Sequence, residues 1–283
     1  MAELRSGMLE VGGERSPLVE SGPQEASEAV VFVHGNPGSH EDWLDLAGRT
    51  GEFVRAVAFD MPGFGQADKP RGFDYRPEGY AVFLAAAFGE LGIERVHLVL
   101  HDFGGPFGIG WAGSHPDRLA SAVVMNSGSL TSARWHRMAK LWRRPVVGEM
   151  VMLATRRGRW RDAFEKAAPP RLPAEFVDRM YDDYDWGTRR AVLKLYRATD
   201  LPYPPAERWY DALAERDLPA LILWGARDPF VKAHRAEQMK RAFPSARVVG
   251  LENSGHFPFA DDPDATAAAV IPFLRAQAAR RAG

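Results

Sequence analysis

Six apolar, β-branched runs recur along the chain, each closed by turn-forming residues, and they constrain the fold more than any other feature. They lie at residues 29–33, 54–59, 96–100, 122–125, 220–224 and 246–251. Helical stretches separate several of them, at 80–91 and 104–114 for example. Strands alternating with helices imply a mostly parallel sheet covered by helices on both faces. Residues 8–11 and 18–20, joined by a Gly/Ser/Pro-containing turn, read as an antiparallel lead-in hairpin, which brings the expected sheet to eight strands. The alanine-rich stretch 264–281 reads as a closing helix. With 283 residues and 46 % hydrophobic content, the chain is long enough to bury a full α/β core.

One region departs from this rhythm. From Ser129 to Asp217 helical patterns are divided by Pro145, Pro169, Pro170, Pro173 and Pro202, with no clear buried strand. An insertion of that length is too long for a loop. The expected division is therefore a core of residues 1–128 and 218–283 with a helical lid at 129–217. Within the lid, Trp135, Met138, Trp142 and Val146 follow helical spacing and are expected to share one face. That face either packs on the core or roofs an active-site cavity, and the two roles are compatible. Residues 131–166 also carry a local charge excess of +7, which reads first as solvated surface and second as a site for an anion.

Functional groups in an open α/β sheet collect at the carboxyl ends of strands. Here those ends carry His34-Gly35-Asn36-Pro37-Gly38, Asp60-Met61-Pro62-Gly63-Phe64-Gly65, Gly225-Ala226-Arg227-Asp228-Pro229 and Asn253-Ser254-Gly255-His256-Phe257-Pro258. The stretch LVLHDFGGPFG, 98–108, breaks from strand into glycines with Asp102 at the turn. A strand, a polar residue and a glycine-rich helix start make a nucleophile elbow, usually built around serine. Taken singly, Asp102 is a helix N-cap, Asp228-Pro229 a turn and His256 a satisfied surface histidine. Together, at strand ends and in the order Asp102, Asp228, His256, they read as a nucleophile–acid–base triad. Asn126 and Ser127 follow the strand at 122–125 without supplying a carboxylate, so Asp228 is the expected orienter of His256. Ser127 and Ser254 sit in no elbow and do not rival Asp102.

Aspartate in the elbow changes the chemistry. It is ionised at pH 7 without help from a base. Attack on an ester carbonyl would leave a reactive anhydride, whereas attack on an sp³ carbon leaves a plain alkyl ester. His256 then activates water to hydrolyse that ester, so its task moves to the second step.

These motifs resemble the Asp-nucleophile branch of the α/β-hydrolase superfamily, which holds epoxide hydrolases and haloalkane dehalogenases. HGNPG, DMPGFGQADKP, LVLHDFGG, LWGARDPF and SGHFPF carry the resemblance, over residues 28–128 and 217–277. It implies the α/β-hydrolase fold, an oxyanion hole from the backbone amides of Asn36 and Phe103, and a cis Asn36–Pro37 bond. It also implies a structural role for His101 and a cavity wall at Phe103. If the lid stripe roofs the cavity, Trp135, Met138 and Trp142 are its expected substrate contacts. Dehalogenases of this branch usually place a tryptophan N–H directly after the nucleophile. Phe103 offers no donor there, which leaves Asn36 to cradle a halide. Epoxide hydrolases supply an acid from lid tyrosines. VLKLYRATD maps Tyr196 onto the second of these, and LWRRPVVGE follows the position of the first, where Met138 stands. His136 or Tyr181 is then the expected helper.

The leading expectation is an epoxide hydrolase in which Asp102 attacks and Tyr196 protonates the ring oxygen. The alternative is a haloalkane dehalogenase relying on Asn36. A third reading, from another class, is a non-catalytic scaffold binding a ligand under the lid. The partners expected are a small apolar electrophile and water. Net charge −1 gives no sign of nucleic acid or a membrane surface, and no apolar run reaches the ~18 residues of a membrane span. The absence of cysteine excludes disulfides and thiolate chemistry. No metal or organic cofactor motif is present, and the N-terminus lacks a signal-peptide core, pointing to a cytoplasmic protein.

Overall fold

Eight strands form a single sheet in the computed structural model, which describes residues 1–132, 134–167 and 172–280. The strands are β1 (Arg5–Val11), β2 (Glu14–Ser21), β3 (Glu28–Val33), β4 (Arg55–Phe59), β5 (Arg95–His101), β6 (Leu119–Met125), β7 (Ala220–Gly225) and β8 (Arg247–Leu251). Their spatial order is β1-β2-β4-β3-β5-β6-β7-β8. The pairs β1/β2 and β2/β4 are antiparallel and the rest parallel. Strands β4, β6 and β7 are buried along their whole length, the signature of a sheet sandwiched between helices.

The lead-in hairpin is longer than its apolar residues suggest, pairing from Arg5↔Glu20 to Val11↔Glu14. An edge strand shows one face to water, so polar residues join the ladder without an apolar signal. The closing helix, Pro263–Ala279, starts under an Asp262 N-cap, and Arg281 at its expected end lies outside the described residues.

Chain order reverses around β3, with β4 on one side and β5 on the other. The crevice at the carboxyl ends of strands beside such a switch point is where ligands bind in this architecture. Asn36 follows β3 and Asp102 follows β5, so both flank it.

Between β6 and β7 the described residues form helices and loops. The expected stripe does not lie on one helix. Trp135 precedes the helix Arg137–Trp142, and Val146, at φ +68°, leads into a second helix, Val147–Ala154. Pro145 cannot continue the first helix, so Val146 turns outward and is 69 % exposed. Pro169 and Pro170, two of the expected breaks, lie outside the described residues. Arg179, from the helix Ala174–Asp182, ties the insertion to the sheet domain. It donates to Ser39 Oγ at 2.7 Å and to the buried Asp42 carboxylate at 2.5 Å.

Candidate active site

Asp102 is the first residue beyond β5 and adopts φ +48°, a left-handed conformation that costs a non-glycine residue energy. The strain is held by neighbours that come very close. A Cβ on Gly35 would stand 2.4 Å from the Asp102 Cβ, and one on Gly104 would stand 2.2 Å from the Val33 carbonyl oxygen. Glycine at both positions is thus a steric requirement of the turn. Ser127 Oγ donates to the Asp102 carbonyl at 2.7 Å, so this serine braces the elbow.

The Asp102 carboxylate is engaged on both oxygens. Asn36 N–H donates to Oδ1 at 2.9 Å, and His256 Nε2 lies 3.6 Å from Oδ2. Burial alone would raise the Asp102 pKa, but His256, His101 and the Asn36 amide outweigh it and hold the carboxyl below its ordinary range. The Phe103 amide sits at the N-terminus of the helix Gly104–Ser114, among N–H groups with no intrahelical acceptor. The Asn36–Pro37 bond is cis.

His256 lies in the turn between β8 and the short helix Pro258–Asp261, only 3 % exposed. Its Nδ1 is 2.8 Å from Asp228 Oδ2. Burial disfavours the imidazolium, yet Asp228 and Asp102 on opposite sides raise the pKa to about 10. Asp228 is held in turn by Asn126 Nδ2 at 2.7 Å and by the Phe230 and Val231 amides at 2.7 and 2.9 Å. Those donors and His256 keep its carboxyl low despite burial.

Asn126 therefore has a place that its position in the sequence concealed. Its amide also reaches the Gly255 carbonyl at 3.2 Å and accepts from the Gly225 N–H at 3.1 Å, joining the loops that carry Asp228 and His256. Behind the histidine, His101 Nε2 donates to the His256 carbonyl at 2.7 Å. Burial and the nearby His256 charge bring the His101 pKa down to about 4, so this ring stays neutral.

Above the strand ends lies a cavity of about 560 Å³, within the size range of small-molecule sites. Asn36, Asp102, Phe103, His256, Tyr196, Trp135, Met138 and Trp142 all line it. Tyr196, from the helix Trp186–Ala198, is 4 % exposed and packs on Phe103, Trp135 and Trp142 with ring centroids 4.9–5.1 Å apart. Asn36 Nδ2 is 3.5 Å from its hydroxyl. Burial and the Asp102 charge push the Tyr196 pKa well up, so the phenol keeps its proton.

The two expected helpers separate. His136 lines the cavity, although its Nδ1 caps the helix Arg137–Trp142 by accepting from the Ala139 N–H. Tyr181 does not line the cavity; it packs on Trp160 and under the Arg157 guanidinium. The tyrosine that does is Tyr184, three residues on, whose hydroxyl meets Met152 Sδ at 3.5 Å. Tyr181 lies in the last turn of the helix Ala174–Asp182, whereas Tyr184 follows the helix in the connection to the next one, and sequence spacing alone does not fix where the helix ends. Among the described residues no cluster of three metal-ligating side chains occurs, and no helix is long and apolar enough to cross a membrane.

The family model for the alpha/beta hydrolase fold matches residues 28–263. The chain belongs to that family. This α/β hydrolase is 28 % identical over 284 residues to a cis-3-alkyl-4-alkyloxetan-2-one decarboxylase of Xanthomonas campestris, covering 90 % of this chain and 91 % of the relative. It is also 28 % identical over 290 residues to a haloalkane dehalogenase of Mycolicibacterium smegmatis, covering 94 % and 89 %. Among solved structures it superimposes on the haloalkane dehalogenase DbeA from Bradyrhizobium elkani with a TM-score of 0.83 at 22 % identity, over 98 % of this chain and 100 % of that one. Cfl2 from Burkholderia cenocepacia gives 0.83 at 21 % identity over 96 % of both chains. At that identity the structural likeness speaks for the fold alone.

Proposed function

We propose that this α/β hydrolase opens a strained carbon–oxygen ring, an epoxide in the leading case, through an alkyl ester on Asp102. The observation that carries this reading is an ionised carboxylate, rather than a hydroxyl, facing both a histidine and a protonated, buried tyrosine. In the first step an Asp102 oxygen attacks the sp³ carbon and the ring C–O bond breaks. The Tyr196 hydroxyl gives its proton to the departing oxygen. In the second step His256 takes a proton from water, and the resulting hydroxide adds to the ester carbonyl carbon. The Asn36 and Phe103 amides stabilise the oxyanion, and collapse releases the diol and restores the Asp102 carboxylate.

The histidine is controlled by the nucleophile. In the resting enzyme it is an imidazolium held between two carboxylates. Alkylation turns Asp102 into a neutral ester, removes one of those charges and lowers the His256 pKa. The imidazolium proton then passes to the Tyr196 phenolate, so the free base appears when water must be activated. The second proton of that water leaves with the diol's alkoxide oxygen. Residues 129–217 serve in this reading as a cap that closes the apolar cavity over the acid.

Dehalogenation is the second reading, favoured by one feature. The Trp135 ring, 6.2 Å from Phe103, and the Trp142 ring both line the cavity with buried Nε1–H groups that have no acceptor among the described residues. With Asn36 Nδ2 they are candidate donors for a halide. The oxetan-2-one in the name of the Xanthomonas relative is likewise a strained C–O ring.

The test is intact mass of His256→Ala after exposure to styrene oxide and, separately, 1-bromobutane. An adduct of the whole epoxide mass is expected, trapped because no base remains. A butyl adduct without bromine would establish dehalogenation instead. No adduct from either, in a folded variant, rejects alkyl-ester chemistry. Tyr196→Phe should slow epoxide turnover by roughly a hundredfold, the ordinary loss for a general acid; unchanged turnover would remove Tyr196 from the role.

A further inference from the structure

Charge is distributed unevenly along the cavity. Its inner end holds the Asp102 carboxylate, 15 % exposed. Arg134, Arg159 and Arg235 also line it, and Asp102 is the only carboxylate among the described lining residues. Arg134 and Arg159 are exposed and Arg235 is half-buried, which puts them at the solvent end. Trp135, Trp160, Phe164, Leu130 and Val151 supply apolar wall.

Among the described residues, three of the ten cations in the basic run at 131–166 are paired with carboxylates of the insertion. Arg143 pairs with Asp200, Arg157 with Asp178 and Asp182, and Arg161 with Asp178. The three cavity arginines are not: none has a carboxylate partner among the described residues. Among the described residues Arg159 reaches the Ala154 carbonyl alone, at 3.4 Å. Arg235 reaches the Ser132 carbonyl and Gln238 Oε1, both at 3.4 Å. The Ser132 contact places Arg235 beside the segment that bears Arg134, while Arg159 comes from a separate helix, Arg157–Ala167.

We propose that the substrate is amphipathic: a hydrocarbon electrophile ending in a carboxylate, gripped at the mouth by Arg134, Arg159 and Arg235. The proposal rests on the alkyl-ester reading and adds the polarity of the molecule that reacts. At the inner end the Asp102 and Asp228 carboxylates outnumber the His256 imidazolium, so an anion gains nothing there, while the arginines attract it at the outer end and the electrophilic carbon enters first. Guanidinium groups suit this task because their planar donors match a carboxylate two bonds at a time.

Binding of unreactive probes tests the proposal apart from the chemistry. Decanoate and decanol share a chain and differ in charge, and calorimetry on the full-length enzyme gives both affinities. Decanoate should bind at least about five-fold more tightly, the upper range for one partly exposed ion pair. The preference should shrink as ionic strength rises from about 0.01 to 1 M. It should vanish in the triple variant Arg134→Gln, Arg159→Gln, Arg235→Gln. It should survive in Arg137→Gln, Lys140→Gln, Arg144→Gln, which removes the same charge from exposed positions outside the cavity. Equal affinities, no decanoate binding, a preference that persists in the first variant, or one lost equally in both would overturn the proposal. Adduct formation in His256→Ala reports on the alkyl-ester reading by itself, so the two fail separately.

Discussion

Replacing Asp102 by asparagine should release His256 from its resting charge state. The imidazole Nε2 lies 3.6 Å from Asp102 Oδ2, and both side chains are largely buried, at 4 % and 15 % exposure. Two unit charges at that separation interact by about 5 kcal/mol at an effective dielectric constant of about 20. At 1.36 kcal/mol per pK unit this is roughly 3 units. The His256 pKa, about 10 in the resting enzyme, should therefore fall to near 7 in Asp102→Asn, with Asp228 still in place. Histidine-labelled protein titrated by NMR reads both values directly. In the proposed alkyl-ester mechanism alkylation of Asp102 produces the same fall, so the kcat profile should lose activity below about pH 7 as the histidine of that ester protonates. Stability gives an independent check. The folded pKa of about 10 exceeds the ordinary 6.5, so this stabilisation is complete below pH 6.5 and is lost as pH rises through 10. Asp102→Asn should lose most of that slope in denaturant titrations. A His256 titration that stays near 10 in the variant would refute the reasoning, because Asp102 would then not control the base.

Asn126→Ala should slow hydrolysis of the proposed ester on Asp102 by roughly ten- to a hundredfold through misplacement of Asp228 and His256, and leave alkylation nearly unchanged. Rapid-quench measurement separates the steps, and equal slowing of both would contradict the positioning role. Arg179→Ala leaves the buried Asp42 carboxylate without its cation and should cost about 3 kcal/mol in urea unfolding; a loss within the ~1 kcal/mol of a surface pair would mean that this contact does not anchor the insertion. Asp261 accepts from Ser254 Oγ and the Gly255 N–H, and burial raises its pKa from 3.8 to about 6. Folding therefore takes up a proton between those values, and stability from this group declines as pH rises from 3.8 to 6. Thermal unfolding of Asp261→Asn across that window should show a flatter pH dependence than the parent, and an identical slope would dismiss the assignment.

The parallel strands and their ends were legible because burial on both faces makes β4, β6 and β7 continuous apolar runs, and because each run stops at turn residues. Asp102, Asp228 and His256 stand at three such stops, so their neighbourhood could be anticipated from order alone. Their distances could not, since Asp102 and Asp228 stand 126 positions apart and only the sheet brings those strand ends together. Asn126 was hidden for a related reason: asparagine after a strand reads as a turn, and its grip on Asp228 is a contact across 102 positions. Trp135, Met138 and Trp142 all line the cavity, yet Trp135 stands before the helix that carries the other two, and helical spacing could not tell that Pro145 turns Val146 away or that Tyr184 faces inward in place of Tyr181. The arginines show the same divide most plainly. Arg134 and Arg159 share a basic run with Arg143, Arg157 and Arg161, which carboxylates neutralise, while Arg235 comes from a distant segment, and only the fold sets Arg134, Arg159 and Arg235 on one cavity. Composition and periodicity act locally along the chain, whereas partner choice depends on which segments the folded sheet and helices bring within a few ångströms.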